Sequence, residues 1–113
     1  MKRIDKNARR TRAIVANGAV YLGGQVGANL DADIRTQTRE ALAGIDALLE
    51  QAGSSRDKVV SVTIWLKSMD DYAAMNEVWD EWIDSENPPT RACCEVLMAD
   101  PRILVEFLPT AIL

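Results

Sequence analysis

Apolar residues recur along this chain with two periods, and the switches between them mark out its elements. Arg12–Ala16 and Ala19–Leu22 are short apolar runs separated by Asn17-Gly18. That pair is the strongest two-residue hairpin signal, because both turn positions need positive φ. Gly23-Gly24 ends the second run, and two glycines there allow either a bulge or a ligand close to the backbone. From Asp33 to Ala52 the period lengthens. Ile34, Ala41, Ile45, Leu48 and Ala52 stand at helical spacing, with Leu42 and Leu49 widening the stripe. Asp31 or Asp33 fits the N-cap and Gly53 the stop. Val59–Leu66 returns to a β-branched, strand-like run. Ser68 then opens a second helix with Asp71 at the capping-box offset, and Tyr72, Met75, Trp79, Trp82 and Ile83 form its stripe. Asn87-Pro88-Pro89 ends that helix and forces an extended entry into Arg91–Met98. A short turn with Asp100-Pro101 leads to Ile103–Leu108.

The expected order is therefore β-β-α-β-α-β-β in a single domain spanning 1–113, a two-layer α+β sandwich with both helices on one sheet face. Strand alternation divides the last two strands. Arg91, Cys93 and Glu95 share one face and Ala92, Cys94 and Val96 the other. Glu106 goes with Leu104 and Leu108, opposite Ile103, Val105 and Phe107. The small and apolar sets suit the helix layer. The other face is then expected to carry Arg91, Cys93 and Glu106 together. A mixed face of that kind is often an assembly surface.

Composition narrows the partners. The chain has 113 residues, 48% hydrophobic and 27% charged, with a net charge of -4. A core is feasible at this length but not generous, which leaves room for oligomerisation. The acidic balance, with a pI near 4.8, argues against nonspecific binding to nucleic acid or an anionic membrane surface. The one basic run is Lys2, Arg3, Lys6, Arg9, Arg10 and Arg12, whose plain reading is a solvated strand and arm. The two cysteines are adjacent, so in a strand they point to opposite faces and are poorly placed to bond to each other. No metal-ligand spacing exists, and no signal peptide or bilayer-spanning run is visible. The chain reads as reduced and cytoplasmic.

Histidine is absent, so the commonest general base is missing and chemistry must rest on charge placement and an oriented water. The candidates are in Pro89-Thr90-Arg91-Ala92-Cys93-Cys94-Glu95-Val96 and Val105-Glu106-Phe107. An arginine opens one strand and a lone carboxylate sits inside another. If the two strands pair, both groups could line one side of a pocket.

These segments resemble the signature of the RidA/YjgF family, the reactive-intermediate deaminases. Gly23-Gly24-Gln25-Val26 after the hairpin and Asp71-Tyr72-Ala73-Ala74-Met75-Asn76 on the second helix support the likeness. It covers nearly the whole chain, and lengths and N-terminus look closest to the short YoaB-like branch. The resemblance implies a chorismate-mutase-like fold assembled as a homotrimer, with a cleft at each subunit interface. It implies hydrolysis of 2-imino acids such as 2-iminobutanoate and 2-iminopropanoate to 2-keto acids and ammonia, with no cofactor and no metal. Arg91 matches the arginine that clamps the substrate carboxylate, and Glu106 the glutamate that positions the attacking water. Gly24 and Cys93 match ligand-contact positions, and Asn76 a helix asparagine near the pocket.

Plainer readings stand beside these. Arg91 and Glu106 can be an interface ion pair with no catalytic role. Asn76 can bridge buried backbone, and Cys93 can be core packing. Two departures from the family pattern bear on substrate range. Arg10 stands where the deaminases often carry a lid aromatic, and Gly23 where a serine often precedes the glycine. Arg10 in that place would favour a second anionic group on the substrate. The reading is a 2-imino acid deaminase. The alternative is a noncatalytic protein that binds or senses small carboxylates or keto acids in the same interface cleft. A chorismate-mutase-like enzyme would need more cations around a dicarboxylate than Arg10 and Arg12 supply. Ribonuclease activity is disfavoured by the acidic pI and the missing histidine.

Overall fold

The structure, a computed structural model, describes residues 1–113. Six strands and two helices run in the order β1 (Lys2–Lys6), β2 (Thr11–Ala16), β3 (Ala19–Leu22), α1 (Ile34–Ala52), β4 (Val59–Leu66), α2 (Tyr72–Trp82), β5 (Thr90–Glu95) and β6 (Val105–Ile112). They form one sheet in the order β1-β2-β3-β6-β4-β5. Every pairing is antiparallel except β4 with β5. The α+β class and the two-layer arrangement stand as expected.

Local signals account for most boundaries. Asn17 and Gly18 both have positive φ, at 52° and 76°, so β2 and β3 meet through the primed turn that suits strand twist. Asp33 caps α1, its side chain accepting from Thr36 N, and Gly53 ends the helix in the left-handed region at φ 83°. Ser68 caps a single 3-10 turn, Met69–Asp71, and α2 begins only after it at Tyr72. Strand β1 is an addition to the expected order. Its only buried residue is Ile4, so the run lacks the alternation that marks a half-buried strand. Pairing Ile4 with Ala13 of β2 holds it in the sheet.

One core lies between the helices and the inner face of the sheet. Ala41, Leu42, Ile45 and Leu49 of α1 and Met75, Val78 and Trp79 of α2 pack on Val62, Ile64 and Leu66 of β4 and on Val105 and Phe107 of β6. Phe107 is fully buried and stacks on Trp79 at 6.0 Å between ring centroids. Gln37 is the main polar group inside. Its amide nitrogen donates to Leu30 O, Ala32 O and Arg102 O, and its oxygen accepts from Leu104 N at 3.0 Å. It ties the loop before α1 to the loop before β6.

The sheet order corrects the expected faces. β5 and β6 do not pair, because β4 lies between them. In the parallel register, Arg91 opposes Val62, Cys93 opposes Ile64 and Glu95 opposes Leu66. Those β4 residues are buried under the helices, so Arg91 and Cys93 lie on the helix side. Glu106 opposes Trp65 and lies on the outer face, with Cys94 and Ala92 beyond it. The expectation that Arg91, Cys93 and Glu106 share one face is therefore wrong for the first two.

Phe107→Ala should remove about 3–5 kcal/mol, a large share of the roughly 5–15 kcal/mol expected for a domain. Leu97→Ala, at a fully exposed position, should stay within about 0.5 kcal/mol of the parent. Urea unfolding of both variants checks this. A loss below about 1 kcal/mol for Phe107→Ala would contradict β6 as the centre of the core.

Candidate active site

The functional candidates gather into two groups. The first is on the helix side at β5. α2 presents Tyr72, Asn76 and Trp79 at i, i+4 and i+7, so the three share one helix face. Asn76 Oδ1 accepts from Arg91 Nη1 at 2.7 Å, and the Tyr72 hydroxyl accepts from Nη2 at 3.0 Å. The guanidinium carbon also stands 5.4 Å from the Trp79 ring centroid and 5.8 Å from that of Tyr72. Both distances are within cation–π range. Five residues, Asn76, Trp79, Asp80, Pro88 and Pro89, border with Arg91 a cavity of about 410 Å³. No carboxylate comes within ion-pairing range of Arg91 in the chain. The reading of Arg91 as the structural partner of Glu106 therefore fails within one chain. A guanidinium fixed by two neutral acceptors and two rings keeps further N–H donors and its full charge for an anion.

Cys93 lies next to this group and packs against the core. Burial pushes its thiol up from the ordinary 9.0; Arg91 acts against that shift and Cys94 with it. A raised thiol is neutral near pH 7 and is a poor nucleophile. Both cysteines are free, Cys94 on the exposed side, as their adjacency in a strand requires.

The second group is at the other side of the sheet. Gly24 follows β3, and a bridge between Gln25 and Phe107 docks this segment along β6. A Cβ at Gly24 would fall 2.9 Å from Glu106 Cδ and closer still to its carboxylate oxygen. The absence of a side chain there lets the carboxylate lie against the backbone. Arg10, Thr11, Arg12, Gly23, Gly24, Gln25 and Val26 surround a cavity of about 380 Å³ at this end. No cation pairs with Glu106 within the chain, and burial raises its carboxyl above the ordinary 4.5. Arg10 and Gly24 thus line one cavity and Gly24 lies against Glu106, while Arg91, Asn76 and Cys93 form a separate group.

Sequence reasoning missed the cradle around Arg91, placing Tyr72 and Trp79 in a buried stripe. Tyr72 is in fact 38% exposed, and Trp79 serves both the core and the guanidinium. Their spacing with Asn76 was the available signal. Gln25 and Arg12 were also missed as parts of the second cavity. Nothing in the chain holds three His, Cys, Asp or Glu side chains close enough for a metal, and no helix is long and apolar enough to cross a membrane.

Comparison with known proteins gives this geometry a lineage. The family model described as Endoribonuclease L-PSP matches residues 1–113. The chain belongs to the RidA/YjgF family. A RutC family protein of Haemophilus influenzae is 38% identical over 109 residues, covering 96% of this chain and 94% of the relative. The RutC family protein YoaB of Escherichia coli K12 is 39% identical over 105 residues, 93% of this chain and 91% of the relative. This places the chain on the YoaB-like side of the RidA/YjgF family, as its length and N-terminus suggested. The crystal structure of a YjgF family member from Neisseria meningitidis superposes with a TM-score of 0.95 at 38% identity, over 98% of this chain and 92% of that one. A crystal structure from Pseudomonas aeruginosa does so with a TM-score of 0.95 at 41% identity, over 98% and 96%. The fold of the RidA/YjgF family is therefore the fold of this chain.

The raised Glu106 carboxyl sets a sign for pH dependence. The folded protein holds this proton more tightly than the unfolded chain does. The group therefore favours folding in acid, and that advantage is lost as pH rises through 4.5 and the raised folded value. Relative to the parent, Glu106→Gln should become more stable as pH moves from below 4.5 to neutral. Urea midpoints of the two proteins at both ends of that range check it; parallel pH dependence would contradict the desolvated carboxylate.

Proposed function

We propose that this chain hydrolyses 2-imino acids to 2-keto acids and ammonia at a site completed between two copies of itself. The observation that carries the reading is the Arg91 cradle. Its guanidinium is oriented by Asn76 and Tyr72 and has no acidic partner, which is the arrangement an incoming carboxylate needs. Glu106 supplies what Arg91 lacks, a carboxylate of raised proton affinity beside open backbone at Gly24. A base pushed up from the usual carboxylate range is better matched to neutral pH.

The two halves lie on opposite faces of the sheet, with β4 between β5 and β6. One small ligand cannot touch both within one chain, since neighbouring strands are about 4.8 Å apart and the side chains point away from each other. The Arg91 half of one copy must face the Glu106 half of another. Contact between two different surfaces is head-to-tail, and such contacts close into rings. Three copies is the number the family resemblance implies. The outer sheet face offers apolar surface for this contact: Ile14, Tyr21 at 53% exposure, Trp65, Leu108 and Ile112 at 47%.

In the reaction, Arg91 holds the substrate carboxylate in a paired contact. Glu106 takes a proton from water as its oxygen adds to C2 of the imine, and that proton passes to nitrogen. The proton of the new hydroxyl then passes through Glu106 to the same nitrogen, and the C–N bond breaks with its electron pair leaving on ammonia as the carbonyl forms. The imine carbon is already electrophilic, so orientation supplies much of the acceleration. Cys93 contributes packing and backbone at the clamp; Gly24 contributes an approachable backbone beside the water.

The test generates 2-imino acids in a coupled assay and follows keto-acid release. Arg91→Ala and Arg91→Lys should each lose most turnover, because an ammonium cannot make the paired contact. Glu106→Gln should keep carboxylate binding and slow turnover by about 10²-fold or more. Arg91→Ala and Glu106→Gln chains, unfolded together and refolded as a mixture, should regain activity at about a quarter of the sites by random assembly. No regain would place both residues in one copy's site, contrary to the proposal. Unchanged carboxylate affinity without any turnover in the parent would favour the noncatalytic binding protein.

A further inference from the structure

Asp5 has φ 53°, in the left-handed region that residues other than glycine rarely adopt. Such outliers mark places where the surroundings over-determine the backbone. Here one residue holds two arginines. The Asp5 carbonyl accepts from Arg10 Nη1 at 3.2 Å, and its carboxylate pairs with Arg12 Nη1 at 3.4 Å. The turn between β1 and β2 is fixed in the same way. Asn7 Oδ1 accepts from the backbone N–H of Arg9 and Arg10 at 2.8 and 2.9 Å, and Asn7 N donates to Arg10 O at 2.9 Å.

The two guanidiniums are not equivalent. Arg12 is committed, with Nη1 on Asp5 and Nη2 donating to Gln25 Oε1 at 2.7 Å. Arg10 makes one bond to a neutral carbonyl and pairs with no carboxylate, yet it lines the same cavity as Gly23 and Gly24. Glu106 adjoins that cavity through Gly24. A substrate group entering there meets a cation with no acidic partner. A neutral alkyl group would leave Arg10 unused, whereas a second carboxylate would pair with it and offset the repulsion from Glu106.

We infer that Arg10 selects for 2-imino acids bearing a second carboxylate, the imines of acidic amino acids, over the short monocarboxylic ones. This rests on the imine-hydrolase reading above and names its substrate class. Arg91 takes the carboxylate beside the imine carbon, and Arg10 takes the distal one.

The experiment compares imines made in place from aspartate and glutamate with those from alanine and 2-aminobutyrate. Four proteins are assayed: the parent, Arg10→Ala, Arg10→Lys and Arg9→Ala. The parent should favour the dicarboxylic imines in kcat/KM by about five- to tenfold, the scale of a partly exposed charge-assisted contact. Arg10→Ala should abolish that ratio, chiefly through KM, and Arg10→Lys should regain part of it. Arg9→Ala removes the same charge one residue away, outside the cavity, and should keep the ratio. No preference in the parent, or a ratio unmoved in Arg10→Ala, would overturn the inference. Absence of turnover on every imine would instead count against the hydrolase reading. Calorimetric binding of 2-oxoglutarate against 2-oxobutanoate then decides Arg10 separately. Tighter dicarboxylate binding, lost in Arg10→Ala, upholds it; equal binding refutes it.

Discussion

Val62, Ile64 and Leu66 of β4 are buried beneath the two helices, and the parallel pairing of β4 with β5 sets Arg91, Cys93 and Glu95 opposite them. From that register follows the position of the Arg91 group. Arg91 comes under α2, within reach of Asn76, Tyr72 and Trp79. Glu95, at the end of the same face, accepts from Met69 N at 3.0 Å and holds the turn that begins α2. A parallel neighbour requires a crossover, and α2 is that crossover. The helix that connects the two strands is therefore also the one that cradles the arginine. Slipping β5 by one residue would turn Arg91 to the outer face and carry Ala92 and Cys94 inward.

The same period of two explains what the sequence made legible and what it hid. Alternation says which residues share a face, and the grouping of Arg91 with Cys93, and of Glu106 with Leu108, holds; Leu104 lies before β6 and packs against the core. Alternation does not say which face is buried when both sets are mixed. In β5 one set is Arg91, Cys93 and Glu95 and the other is Ala92 and Cys94, so neither is plainly hydrophobic. Assigning Ala92, Cys94 and Val96, the small and apolar set, to the helix layer then placed the arginine wrongly. Strand β4 was legible to the residue because its core set is strongly apolar, and the Asn17-Gly18 turn because few residue pairs tolerate its dihedral angles. β1 was hidden for the opposite reason, having one buried residue among charged ones. Arg91 and Glu106 were singled out as an arginine and a lone carboxylate in strand-like runs, and Gly24 and Asn76 through family likeness. Tyr72 and Trp79 have aromatic rings that look like core from spacing alone, and only the placement of Arg91 gives them a second task.

Electrostatics separates the two halves as firmly as the sheet does. At Arg91 the cation is stabilised without neutralisation, by two hydrogen bonds that it donates to neutral groups and by two aromatic faces. Pairing it inside the chain with an acid would have quenched the field that attracts an anion. At Glu106 the acid is held away from cations, and burial raises its affinity for a proton. A pair in direct contact would have shifted both groups toward their charged forms and made the acid a weaker base. Kept apart, Arg91 retains its free charge and Glu106 its raised affinity for a proton.

Aim in this chain depends on packing. Glu106 and Phe107 are consecutive in β6, so burying one ring on the inner face turns the carboxylate to the outer face. Phe107 is held by its stack with Trp79 at 6.0 Å, and the Trp79 ring also lies 5.4 Å from the Arg91 guanidinium carbon. One tryptophan thus touches both Phe107, whose burial turns Glu106 outward, and Arg91. Its substitution would create a cavity at the core and loosen both halves at once. Under the proposed reaction, loss of activity in a Trp79 variant would report misplacement of Arg91 and Glu106 together with any change in the cavity that Trp79 borders.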